Sequence, residues 1–173
     1  MTDPPPGEPG ASAERLTTVR SRGFFPADYA SVEGGKIYAS GAYWSTLRFP
    51  AFPAVLPNMS LVAVIEVPFH ASYGDHSMQM RLVDLDENAL GLEVEGIFRA
   101  APAIENKYGQ PGLTPVAVPI HGLVIERPGE YSFTLTVDDR EIDRYRFRVV
   151  QVASIEMTPF DAELPGPADF PDE

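Results

Sequence analysis

Two histidines and an aspartate, His70, Asp75 and His76, fall within one short stretch, and two imidazoles with a carboxylate are a set that zinc accepts. Their spacing matches no compact zinc motif, and residues 69–76 must fold back on themselves before the three converge, so a solvated hairpin loop is the plainer reading. His121 stands alone in an apolar segment with no serine nucleophile and orienting acid beside it, and reads as a hydrogen-bonded core or edge histidine. Asp84, Asp86 and Glu87 hold oxygens for calcium or for an acid and base pair. EF-hand spacing is absent, however, and Asp and Asn are ordinary turn residues, so a hairpin turn accounts for them. Gly34-Gly35-Lys36 lacks the remainder of a phosphate-binding loop and precedes a strand pattern, which makes it a turn. Without cysteine there is no thiolate nucleophile, thiolate metal site or disulfide. No catalytic residue is assigned and no cofactor is expected.

Two surfaces suit recognition better than reaction. Trp44, Phe49 and Phe52 lie among Pro50, Pro53 and Pro57, a stiff aromatic loop that either presents a binding surface at one end of the fold or plugs the open end of the core. Arg144, Arg146 and Arg148 share one face of the last strand, where pairing with cross-strand Glu or simple hydration is the alternative to binding.

The elements that position these residues follow from period-two alternation. Tyr131, Phe133, Leu135 and Val137 alternate with Ser132, Thr134 and Thr136, and Tyr145, Phe147 and Val149 alternate with the three arginines, which predicts an antiparallel hairpin around Asp138-Asp139-Arg140. Residues 116–125 add a third strand, joined through the tight turn Arg127-Pro128-Gly129-Glu130. Residues 58–68 are the most apolar run and predict a central strand covered on both faces. Further strands are expected over 24–31, weakened by Pro26, and over 36–47, 77–85 and 90–100, with a long loop over 101–115. A helical turn is expected within 14–20. Ile142 is out of phase with Tyr145, and Ile120 with Leu123 across Gly122, so a bulge or bend is expected at each.

Seven or eight antiparallel strands without a long amphipathic helix argue for an all-β, immunoglobulin-like β-sandwich, with a barrel as runner-up. Tyr131 and Phe133 match the strand that carries a tyrosine corner in such domains, Phe133 standing where antibody domains place a cysteine. Length and a 44% hydrophobic content suit one domain over 14–153. Residues 1–13, rich in Pro, Gly and Glu, and residues 154–173, with six acidic residues and no basic one, are expected to be flexible. Phe160, Leu164 and Phe170 punctuate that acidic tail and are candidates for contacting a partner.

Net charge is −12, concentrated in those ends, so the body is mildly acidic and nucleic acid is not an expected partner. No apolar run is long enough to cross a bilayer and residues 1–7 do not read as a secretory signal, so a cytoplasmic protein is expected, with no membrane partner. Lys36 and Lys107 stand against eleven arginines, a usage in keeping with a GC-rich bacterial genome.

Asp28-Tyr29-Ala30, Gly34-Gly35-Lys36, Gly41, Pro50-Ala51-Phe52-Pro53-Ala54, Arg127-Pro128-Gly129-Glu130-Tyr131, Val137-Asp138-Asp139-Arg140-Glu141 and Phe147-Arg148-Val149, read in order, resemble a bacterial family catalogued as a domain of unknown function. The resemblance covers about 24–151 and implies a small β-rich domain. It carries no activity or catalytic residue to this chain. The expectation is therefore a non-enzymatic protein-interaction module that docks a partner through the aromatic loop, the arginine face or the acidic tail. A structural subunit that self-associates through strand edges, and a metal-dependent or carboxylate hydrolase, are the alternatives.

Overall fold

The computed structural model describes residues 18–100 and 110–153, and these form ten strands with no helix among them. They are β1 (Arg20–Ala27), β2 (Tyr29–Glu33), β3 (Lys36–Ser40), β4 (Thr46–Phe49), β5 (Ala54–Val67), β6 (Asp75–Val83), β7 (Ala89–Arg99), β8 (Gly112–Ile125), β9 (Gly129–Val137) and β10 (Arg140–Gln151). They make a three-stranded sheet β1-β5-β8, a five-stranded sheet β4-β10-β9-β6-β7 and the β2-β3 hairpin. The calls on residues 1–13 and 154–173, and the placement of Phe160, Leu164 and Phe170, lie outside the described residues.

The expected all-β class is what forms, but with ten strands rather than seven or eight, and with one parallel pair, β4 beside β10. The turn at 127–130 is not a hairpin. It carries the chain from the three-stranded sheet, where β8 pairs with β5, to the five-stranded sheet, where β9 pairs with β10 and β6. The strand expected over 24–31 is two, broken at Asp28, and Pro26 is tolerated because β1 is an edge strand. That over 36–47 is two as well, β3 stopping at Ser40 and residues 46–47 opening β4. Gly41 follows Ser40 with φ +62°, where a Cβ would fall 2.0 Å from a carboxylate oxygen of Asp28, so only glycine fits the corner. No helical turn forms at the described end of 14–20, where Arg20 already belongs to β1, and residues 112–115 of the expected long loop are strand.

One core lies between the two larger sheets. Met59, Leu61, Ala63, Ile65 and Val67 point into it from β5, Met80 and Leu82 from β6, Phe133 and Leu135 from β9, and Phe147 and Val149 from β10. The other face of β5 is covered too, as a central strand requires: Val62 packs with Ala27 and Ala30 under the β2-β3 hairpin, and Ser60 Oγ accepts the Ala30 N–H at 3.0 Å. Glu66 is buried on that face. Arg20, its direct ladder partner, and Arg22, the extra residue of a bulge in β1, both donate to its carboxylate. The expected bulge at Ile142 is present, between Glu141 and Asp143. At Gly122 the irregularity is a bend. The β5–β8 register runs unbroken from Asn58↔His121 to Leu56↔Leu123, yet Ile120 and Leu123, three apart, both face the core, and Gly122 takes φ +66° opposite Pro57.

Candidate functional site

The three metal candidates do not converge. His70 is exposed, Asp75 pairs with Arg99 at 2.7 Å, and His76, buried on the opposite face of β6, has both ring nitrogens occupied. Its Nδ1 lies 2.7 Å from Asp138 Oδ2 and its Nε2 3.1 Å from the Ala71 carbonyl, with the ring stacked on Phe98. Among the described residues no three His, Asp or Glu side chains gather as a cation site would need. Asp84 is a turn anchor: one oxygen accepts the N–H groups of Asp86 and Asn88, and Asn88 Nδ2 bonds both oxygens. Bonds from Asn88 above all hold its carboxyl below the usual aspartate pKa. His121 is exposed on β8 and bonds Asn58 Oδ1 across the ladder at 2.8 Å.

The recognition candidates divide. Trp44, Phe49 and Phe52 are half-buried and packed on the core, Trp44 edge-on to Phe147 at 5.4 Å and Phe49 edge-on to Phe52 at 5.9 Å, so most of their apolar surface is spent inside the molecule. Arg144 donates to both Glu87 and Glu141, which push its pKa further up, and Arg148 to Glu130, its cross-strand partner. Arg146 is the exposed member with no ion pair among the described residues.

A different feature emerges where the two large sheets end. Among the described residues β7 pairs only with β6 and β8 only with β5, so within them both present an unpaired backbone edge. The two strands approach each other near Ala100 and Gly112, where a Cβ on the glycine would touch the Ala100 methyl at 3.8 Å. They part at the other end into a groove of about 490 Å³. Leu82, Leu92, Ile120, Leu123 and Ile125 form its apolar floor, and His121, Glu126 and Arg127 its polar mouth. Tyr131 closes the base, its hydroxyl donating to the Arg127 carbonyl at 2.7 Å, and burial raises its pKa.

Both walls are shaped by glycine. Gly91 on β7 and Gly122 on β8 have φ of +65° and +66°, and a Cβ on either would meet nothing within 4 Å, so each leaves bare backbone at the groove. Pro115 and Pro119 lie in the half of β8 before the groove, and proline has no N–H to offer a neighbouring strand. The free edge is thus blunted where the sheets meet and intact where they part. Chemically, the groove offers peptide donors and acceptors on two sides and an apolar floor, with no serine, threonine or cysteine among its lining residues. The phase slip at Gly122 was its one trace in the sequence.

The described residues define an all-β protein of ten strands in three sheets. The chain belongs to a family of unknown function, DUF6941, whose model matches residues 22–150. A comparison with curated proteins finds no match. Among solved structures, the alkylpurine DNA glycosylase AlkC of Pseudomonas fluorescens bound to abasic-site DNA is similar at 9% identity and TM-score 0.37, covering 77% of this chain and 30% of the other. A Listeria innocua beta-glucosidase is similar at 8% identity and TM-score 0.41, covering 80% and 16%. The chain spans less than a third of either.

Proposed function

We propose that the protein is a non-enzymatic protein-interaction module, an immunoglobulin-like sandwich whose β7/β8 groove takes an extended strand of a partner. The observation that carries the reading is the coincidence of two unpaired backbone edges with an apolar floor: a strand laid there gains main-chain hydrogen bonds and buries every second side chain. The sandwich assignment is supported by the bond from Tyr131 to the carbonyl four residues upstream, the mark of a tyrosine corner. The absence of cysteine supports a cytoplasmic setting. Relative to the surfaces expected from sequence, the docking role moves from the aromatic loop and from Arg144 and Arg148 to the groove, with Arg146 left without an ion pair among the described residues.

A peptide library selected on the full chain tests this. Enriched peptides should alternate apolar and polar residues, and Ala89→Lys with Val124→Lys, two exposed positions at the groove, should abolish their binding while Arg146→Ala leaves it intact. Binding indifferent to the two lysines, or no enrichment, overturns the reading. A second reading, a structural subunit, uses the same edges to join copies of the chain. Light scattering that shows concentration-dependent growth, lost in the two-lysine variant, would select it.

A further inference from the structure

We infer that residues 160–164 of this same chain are an occupant of the β7/β8 groove, so that the carboxy-terminal segment competes for the site an external strand would use. The inference rests on the groove reading above and deepens it. Three observations carry it.

The first is sequence fit. Between Pro159 and Pro165 lies Phe160-Asp161-Ala162-Glu163-Leu164, a proline-free stretch in strict alternation, with three apolar residues to face the floor and two acids to face out. The flanking prolines limit the pairing segment to that length, which suits the short unblunted edge of β8 after Pro119.

The second is reach. β10 delivers the chain to the groove's end of the molecule: Val149 pairs with Gly129, two residues from Arg127 at the mouth, and the strand runs on in that direction to Gln151. Residues 154–159 then supply a span of about 20 Å when extended. The third is charge. Arg127 stands exposed at the mouth, its guanidinium a loose 3.8 Å from Asp84, so an outward acid of the segment meets one arginine there, in a rim that also carries Glu126.

Because the chain has no cysteine, two introduced thiols report on each other alone. Ala89→Cys on the groove wall is joined with Ala162→Cys, both small exchanges, in the full chain. The control joins Ala162→Cys with Glu95→Cys, on the exposed face of β7 away from the core. Under mild oxidation the groove pair should form an intramolecular disulfide at least about tenfold faster than the control. Phe160→Asp with Leu164→Asp should erase that difference and tighten binding of the selected peptides. Equal rates for the two pairs overturn the inference, and a disulfide-linked dimer overturns it in favour of a second copy's segment. If library peptides still bind the groove while the two rates are equal, only the cis occupant fails; if the peptides fail as well, the groove reading falls with it.

Discussion

Tyr131 Oη donates a 2.7 Å hydrogen bond to the Arg127 carbonyl, and that single bond ties the first residues of β9 back to the last turn of the other sheet. The same ring stacks on Phe147 and forms the base of the groove. Tyr131→Phe keeps the ring and removes the bond, so it should cost about 1 kcal/mol of folding free energy in denaturant titration. It should also lower peptide binding, because the mouth residue Arg127 loses its anchor.

Asp138 sits in the β9–β10 turn and reaches across to β6, accepting from the Ser77 N–H at 3.0 Å and facing His76 Nδ1 at 2.7 Å. Asp138→Ala strips a buried imidazole nitrogen of its partner, and a loss of about 2 kcal/mol is expected by the same titration. Asp75→Ala, on an exposed pair with Arg99, should change little. If the two variants lose equal stability, the clamp is not what holds this end of the fold.

Acid should weaken the protein through Glu66. Burial pushes its carboxyl up, but bonds and charge from Arg20 and Arg22 outweigh that, so its pKa lies below the ordinary glutamate value of about 4.5. With the folded value depressed, the group's contribution is fully present above about 4.5 and is lost as pH falls through the folded pKa. Glu66→Gln should therefore lower stability at neutral pH and flatten its decline below that range, as thermal unfolding at stepped pH would show.

Gly122→Ala isolates the bend. The methyl meets no atom within 4 Å, so the cost comes from φ of +66° alone and should be about 1 kcal/mol. A larger loss in thermal unfolding would mean that the bend, and not merely its backbone angle, depends on bare glycine.

The arginines of β10 separate by partner count. Arg144→Ala releases both Glu87 and Glu141 and should lower the denaturation midpoint slightly, while Arg146→Ala should leave it unchanged. Identical midpoints for the two variants would show that the Arg144 network is solvated away.

The strands with one buried face were legible because alternation is local: Phe133, Leu135, Phe147 and Val149 declare their side within a few residues. Residues 58–68 declared a central strand by the opposite sign, an apolar run with no alternation because both faces are covered. What escaped depends on partners far along the chain. Nothing near Arg48 says that β4 runs parallel to β10, and nothing near His76 points to Asp138, 62 residues on. An edge is a property of sheet order, so β7 and β8 could not be recognised as free from their own residues. Gly122 was legible as an irregularity, but whether it bulges or bends is decided by Pro57 opposite it.

The parallel pairing of β4 with β10 also sets an order of events. Thr46 meets Arg148 across most of the chain's length, so this contact closes one of the largest loops in the molecule and cannot form until the last strand has left the ribosome. Trp44, the only tryptophan, lies just before β4 and packs against Phe147 of β10. Its fluorescence therefore reports the docking of β4 beside β10, a contact that formation of the local hairpins does not require.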